Sequence, residues 1–186
     1  MGHPSHILLS LILAAALVVF CMCCAPVQTT AQGLDPIPLD ALVPQVSSTL
    51  LTNRMQQNDR ILVFDVRERE EFAVSRLPGA MHVSPATSPD QFLSRVANRV
   101  RGATFVFYCA VGARSADLAQ GVYHDLMARG AVGVFVLQGG IIDWHNQGHV
   151  LVDAKGPSKF VHPFNDELKS RLKSPALARS IPREGY

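Results

Sequence analysis

The chain has 186 residues, of which 48% are hydrophobic and 17% are charged. This length and composition fit one globular domain with its own core, and they exclude a disordered or fibrous protein. The 17 basic and 15 acidic residues give a net charge of +2, a basic excess too small to indicate a nucleic-acid-binding protein.

The N-terminal 34 residues contain no Asp, Glu, Lys or Arg. Within them, the segment Ile7–Cys24 is almost entirely apolar, which is typical of a secretory signal or a membrane anchor. We therefore assign residues 1–31 to a signal peptide that is cleaved after Ala31, or to an uncleaved anchor that associates with a membrane through residues 7–24. Both alternatives predict that the rest of the chain is extracytoplasmic, either periplasmic or secreted.

The elements of the remaining chain alternate between helix and strand. The predicted helices cover Asp40–Met55, Glu68–Phe72, a region that begins at Ser88-Pro89, a region that ends at Gly130, and a short segment around Trp144. Four short runs are predicted strands: Ile61–Val66, Ala80–Val83, Thr104–Cys109 and Gly133–Leu137.

A fifth strand near Ile37 would complete a parallel sheet that helices cover on both faces, which makes residues 37–152 an α/β domain. Residues 153–186 are polar and contain four prolines, which predicts a loosely attached C-terminal tail with one short helix near Asn165–Lys173.

Cys109 is the one cysteine outside the apolar N-terminal segment, and it stands where a predicted strand ends before a helix. Ligands of parallel α/β sheets bind at this end of the strands, where backbone N–H groups and the helix dipole stabilise a thiolate. Gly112 allows the loop to curl around the sulfur, and Arg114 supplies a positive charge for an anion. A buried structural cysteine is the alternative, but the glycine and arginine at these spacings favour a reactive one.

Four stretches carry motifs that occur together in one protein family. They are Asp65–Phe72, Leu77–Val83, Cys109–Ser115 and Leu137–Trp144. They are similar, in the same order, to DVRExxEF, HIPGAxNIP, the active-site loop CxxGxRS and LxGGxxxW of the single-domain rhodanese family, whose members are thiosulfate sulfurtransferase-like. The chain departs from the family pattern at Arg76, where His is usual, and at His82, where Asn is common.

The resemblance implies a rhodanese-like three-layer α/β/α domain with a central five-stranded parallel sheet. It also implies that Cys109 is catalytic and carries sulfane sulfur as a persulfide, from thiosulfate or a persulfide donor to a thiol acceptor or cyanide. The implied substrate-binding residues are those of the loop after it: Ala110, Val111, Gly112, Ala113, Arg114 and Ser115.

In the same resemblance, Asp65 and Arg67 are supporting residues, most simply an ion pair that holds the cysteine loop. Arg114 has two possible roles: it steers an anionic donor, or it pins the loop through a buried carboxylate. The implied partners are a small-molecule sulfur donor and a thiol acceptor, with no nucleic acid, no metal and no organic cofactor.

Two other functions remain open. Rhodanese folds also serve as non-catalytic binding modules, typically where the cysteine is lost, whereas this chain retains Cys109. Cysteine phosphatases and arsenate reductases have a related loop with one residue more between the cysteine and the arginine. The four residues between Cys109 and Arg114 make a smaller loop, which suits a sulfur atom better than a phosphate.

Overall fold

The computed structural model describes residues 43–57 and 59–183. The predicted N-terminal segment 1–31, the strand near Ile37 and the start of the helix at Asp40 lie outside these residues. Within the described ranges, no helix is both long enough and apolar enough to cross a bilayer.

Five parallel strands form the central sheet, as predicted. In chain order they are β1 (Gln45–Val46), β2 (Ile61–Asp65), β3 (Met81–His82), β4 (Thr104–Tyr108) and β5 (Gly133–Leu137). Their spatial order is β1-β5-β4-β2-β3, so β4 lies at the centre. The described fifth strand is thus β1, which pairs with β5 through Gln45–Val136 and Val46–Leu137.

Helices surround this sheet. They are α1 (Ser48–Gln56), α2 (Arg69–Val74), α3 (Pro89–Val96), α4 (Ala113–Ala128), α5 (Gly140–Asn146) and α6 (Asp166–Ser170), with 3₁₀ turns at Ala97–Arg99 and Pro175–Leu177. The first helix begins at Ser48 instead of Asp40, because Ser47 caps it by accepting a hydrogen bond from the Leu50 N–H. Ser88 caps α3 in the same way, as its sequence predicts.

Hydrophobic residues pack on both faces of the sheet. Alternate residues of β4 point to opposite sides, so that Phe105 and Phe107 join one cluster with α3 and α4, while Val106 joins a second cluster. The second cluster includes Leu51 of α1 and Trp144 of α5. The result is the predicted three-layer arrangement, with the carboxyl end of β4 at its middle.

The C-terminal segment is packed against the domain, so the prediction of a loose tail over residues 153–186 is wrong for its described part. Strands β6 (Leu151–Asp153) and β7 (Gly156–Ser158) form an antiparallel hairpin. Beyond it, Val161, Leu168 and Leu172 are buried. These apolar side chains are few, and the charged residues between them conceal their contribution when the segment is judged by composition.

Candidate active site

Cys109 directly follows β4, and its side chain is buried. Its Sγ accepts a hydrogen bond from the Gly112 N–H at 3.1 Å. Gly112 has φ +114°, in the region that favours glycine, and it precedes the first residue of α4. The loop therefore curls around the sulfur as predicted, and it points a backbone donor and the start of a 16-residue helix at the thiol.

The remaining loop residues close this curl and border open space. The Ser115 hydroxyl donates to the Gly112 carbonyl oxygen at 2.9 Å. A cavity of about 330 Å³ is lined by Val111, Gly112 and Ala113 and by Val136 of β5. The predicted loop residues are thus brought together in one place, with space for a small molecule beside them.

The start of α5 packs directly on the cysteine loop. The Ile141 N–H donates to the Cys109 carbonyl oxygen at 3.0 Å, and the Ile142 N–H donates to the Ala110 carbonyl oxygen at 3.1 Å. A Cβ atom on Gly140 would lie 2.5 Å from each of these two oxygens, and Gly140 has φ +58°. Only glycine permits this approach, which explains the second glycine of the pair in the last motif.

Arg114 forms a two-pronged ion pair with Glu71 of α2. Its Nη1 lies 2.9 Å from Glu71 Oε2, and its Nη2 lies 3.2 Å from Glu71 Oε1. Burial alone would lower the pKa of Arg114, but the hydrogen bonds and charge of Glu71, with a smaller effect of Cys109, raise it. The sequence left two roles open for Arg114, and the structure shows the second one: Arg114 is held by the buried carboxylate of Glu71.

Two residues of the C-terminal segment approach the same arginine. The centroid of the Phe164 ring lies 4.6 Å from the Arg114 guanidinium carbon. The Phe164 N–H donates to His162 Nδ1 at 3.0 Å. Burial lowers the pKa of His162, and the charges that act on it include Glu71 and Arg114. The segment thus forms one side of the site.

Asp65 and Arg67 form a fully buried ion pair beneath the site. Arg67 Nε and Nη2 donate to the two carboxylate oxygens at 2.9 and 2.6 Å, and the Tyr108 hydroxyl donates to Asp65 Oδ2 at 2.6 Å. Burial lowers the pKa of Arg67, but the Asp65 carboxylate more than offsets this and raises it. Burial and the same carboxylate raise the pKa of Tyr108, so this hydroxyl stays protonated and donating.

We expected this ion pair to hold the cysteine loop, but its hydrogen bonds hold a different segment of the chain. Arg67 Nη2 also donates to the Ser75 carbonyl oxygen at 2.7 Å, and the Tyr108 hydroxyl accepts from the Leu77 N–H at 3.1 Å. The network therefore fixes the chain after α2. Among the hydrogen bonds named here, the one that leads towards Cys109 is made by Tyr108, its neighbour in sequence.

Sequence reasoning assigned no role to Glu71, Tyr108, His162 or Phe164. Glu71 had a usable signal, because a carboxylate within a predicted short helix near the site needs a cation, and Arg114 was available. The approach of His162 and Phe164 had none, since they are about 50 residues from Arg114 and belong to no motif.

Comparison with known proteins agrees with this geometry. The Rhodanese-like domain family model matches residues 47–147, which include the cysteine loop and the buried ion pair. A protein of Allochromatium vinosum named "Sulfurtransferase" is 30% identical over 115 residues, which cover 62% of this chain and 100% of that protein.

Solved structures share the fold. The BH2092 protein of Bacillus halodurans has a TM-score of 0.50 at 19% identity, and the match covers 69% of this chain and 90% of that chain. The thiosulfate sulfurtransferase of Pseudomonas aeruginosa has a TM-score of 0.50 at 16% identity, and the match covers 75% and 25% of the two chains. Because the family model spans more than half of the chain and includes the Cys109 loop, this protein belongs to the family with a rhodanese-like domain.

Proposed function

We propose that the protein is a sulfurtransferase that moves a sulfane sulfur from thiosulfate or a persulfide donor to a thiol acceptor through a persulfide on Cys109. The observation that carries the proposal is the hydrogen bond from the Gly112 N–H to Cys109 Sγ, in a loop that opens helix α4. A preorganised donor at this position stabilises negative charge on sulfur without having to reorient.

The transfer divides into two displacements at sulfur. The Cys109 thiolate attacks the outer sulfur of the donor, the S–S bond of the donor breaks, and its electron pair leaves with sulfite or with a thiolate. The acceptor thiolate then attacks the outer sulfur of the Cys109 persulfide, and the Cys109 thiolate is regenerated. This covalent intermediate replaces one difficult transfer with two easier ones, and no external oxidant or reductant is consumed.

The surrounding residues divide the supporting work. Backbone donors of residues 110–115 hold the transferred sulfur, and Arg114 lies beside it while Glu71 anchors the guanidinium. The buried ion pair of Asp65 and Arg67, to which the Tyr108 hydroxyl donates, fixes the chain after α2. In this proposal Cys109 alone makes and breaks bonds.

Intact-mass spectrometry tests the proposal directly. The wild-type protein, incubated with thiosulfate or with an organic hydropersulfide, should gain the mass of one sulfur atom, and cyanide should remove it. Cys109→Ala should gain nothing. If the wild type gains no sulfur from either donor, the sulfurtransferase proposal fails and a non-catalytic binding module takes its place.

We also propose that the site works outside the cytoplasm, in the periplasm or after secretion. This proposal rests on the apolar sequence Ile7–Cys24 alone. The mass of the protein isolated from its own cells distinguishes a chain that begins at Gln32 from an anchored one that retains residues 7–24. Recovery of the intact chain from the cytoplasmic fraction would contradict the proposal.

A further inference from the structure

The segment that brings Phe164 to the site is additional to the matched family region, which ends at residue 147. Val161 anchors this segment, because it is fully buried and hydrogen-bonded on both sides. The Val161 N–H donates to the Leu177 carbonyl oxygen at 3.1 Å, and its carbonyl oxygen accepts from the Arg179 N–H at 3.0 Å. The chain leaves this anchor and reaches Arg114 three residues later.

Phe164 has an unusual backbone conformation. Its φ is +69°, and it is the one non-glycine residue with positive φ in the part of the chain that the structure describes. Such strain persists where surrounding contacts enforce it, and it concentrates at functional sites. Here the contacts are the His162 Nδ1 acceptor and the Arg114 guanidinium. Phe164 is nevertheless 50% exposed, so its ring offers apolar surface to a bound molecule.

The charges at the site do not favour the binding of a donor with two negative charges, such as thiosulfate. Both terminal nitrogens of Arg114 are engaged by Glu71, and Phe164 covers one side of the guanidinium. A cavity of about 230 Å³ beside Arg114 is lined by Asp117 and by the apolar side chains of Pro85, Pro89 and Leu118. Glu71 and Asp117 thus lie next to a single arginine, and their two negative charges disfavour a second negative charge on a donor at this position.

From these contacts we propose that Phe164 is a specificity-determining residue, whose ring selects an organic hydropersulfide with an apolar substituent over thiosulfate. This inference rests on the proposed sulfur transfer and names its preferred donor class. The substituent packs on the exposed surface of the Phe164 ring while the outer sulfur faces Cys109. Aromatic packing of this kind is specific for shape and does not depend on charge.

The reaction balances without any further component. The Cys109 thiolate attacks the outer sulfur of R–S–SH, the S–S bond of the donor breaks, and its electron pair leaves on R–S⁻. The proton remains on the transferred sulfur, so that Cys109 becomes Cys–S–SH. The substituent R takes no part in the chemistry, and its contact with Phe164 therefore changes the selectivity without changing the mechanism.

The test measures the second-order rate of sulfur loading on Cys109, by intact mass, with three donors: benzyl hydropersulfide, methyl hydropersulfide and thiosulfate. The variants are Phe164→Ala and Phe164→Gly, and glycine relieves the positive φ while removing the ring. Phe160→Ala is the matched control, because Phe160 lies in the same segment but contacts Arg179 and Lys159.

For the wild type we expect benzyl hydropersulfide to react faster than both other donors. Both Phe164 variants should lose about three- to tenfold of the benzyl-to-methyl rate ratio, the range for one aromatic contact. Phe160→Ala should keep the wild-type ratio. Because the methyl donor reports the loop chemistry in every variant, a fold defect would slow both hydropersulfides equally and leave the ratio unchanged.

Two results overturn the inference while leaving sulfur transfer intact: a wild type that loads fastest from thiosulfate, or Phe164 variants with an unchanged benzyl-to-methyl ratio. A wild type that loads from none of the three donors overturns the proposed function itself. The two failures are thus distinguished within one set of measurements.

Discussion

At the scale of single residues, the site is built from charges that are already compensated. Asp65 is paired with Arg67, and Glu71 with Arg114, so both of these arginines have a carboxylate partner. Burial makes the Asp65–Arg67 pair sensitive to the loss of one member, because both side chains are fully buried and the remaining charge would be left without water. The same compensation limits what the arginines offer to an anionic substrate.

Replacing Glu71 by Gln tests this limit at Arg114. The amide keeps the shape and a hydrogen-bond acceptor but removes the negative charge, so sulfur loading from thiosulfate should increase about three- to tenfold relative to methyl hydropersulfide. Added salt should shrink the gain, since it screens the attraction. Glu70→Gln, at an exposed neighbouring position, should not change the ratio; an equal gain there would contradict a specific role of Glu71.

Replacing Asp65 by Asn should lower the free energy of unfolding by about 3–5 kcal/mol, because it leaves the buried Arg67 charge unpaired. Urea denaturation measures the change. Asp59→Asn is the control: it breaks the pair with Arg54, whose side chains are 39% and 58% exposed, and should cost about 0–1 kcal/mol. Similar costs for the two variants would show that burial of the Asp65 pair contributes nothing.

At the scale of secondary-structure elements, the carboxyl end of β4 meets the starts of α4 and α5. Helix α4 provides the Gly112 N–H at its beginning, and α5 fixes the carbonyl oxygens of Cys109 and Ala110. The motifs at residues 109–115 and 137–144 are therefore two sides of one contact. Their closeness follows from the adjacent positions of β4 and β5 in the sheet.

Gly140→Ala should disturb this contact. The positive φ costs about 1–2 kcal/mol, and the clash of a Cβ with two backbone oxygens adds about 1–3 kcal/mol. The free energy of unfolding, measured by urea denaturation, and the rate of sulfur loading should therefore both fall. Gly148→Ala is the matched control, because Gly148 has φ +78° with open space around it, and it should incur only the backbone cost. Equal behaviour of the two variants would refute the close approach.

At the scale of the whole molecule, the C-terminal segment is part of the fold. It adds the β6–β7 hairpin, fills the second hydrophobic cluster with Val161 and Leu172, and supplies Phe164 to the site. Asp153 and Arg183 form an ion pair within it, and the hydrogen bond from Arg183 lowers the pKa of Asp153. The proposed donor specificity therefore rests on a residue outside the matched family region, which ends at residue 147.

Leu172→Ala tests whether this segment contributes to global stability. Leu172 is 3% exposed, so its truncation should cost about 2–5 kcal/mol in a single cooperative urea transition. Ile181→Ala, at a position that is 68% exposed, should change the free energy of unfolding by less than about 0.5 kcal/mol. A negligible effect of Leu172→Ala would mean that the segment is only loosely attached.

His162 makes stability depend on pH. Burial lowers the pKa of His162 from 6.5, with Glu71 and Glu70 opposing the shift and Arg67 and Arg114 adding to it. The unfolded chain therefore takes up the proton first, and stability falls as the pH decreases from 6.5 towards the lower pKa of the folded state. His162→Gln should reduce this loss in urea unfolding between about pH 7.5 and pH 5. His124→Gln, at an exposed site, should retain it; a loss unchanged in His162→Gln would contradict this origin.

Much of this arrangement is predictable from local pattern. Continuous apolar runs indicated the buried parallel strands, Ser88-Pro89 marked the start of α3, and Cys109, Gly112 and Arg114 indicated the candidate site loop. These features depend on neighbours in sequence, through backbone propensity, capping and the alternation of faces. The start of α1 was misplaced, because a polar cap at Ser47 ends the preceding extended chain despite apolar residues on both sides.

By itself, the sequence determined the α/β class, the family resemblance and the position of the candidate catalytic cysteine, because short-range patterns encode all three. Only the tertiary structure decided that Glu71 neutralises Arg114, that the Asp65 pair supports residues 75–77, and that Phe164 reaches the site. These contacts join residues that are distant in the chain. Whether such residues meet depends on how the hydrophobic clusters close, a property of the folded molecule that no local pattern contains.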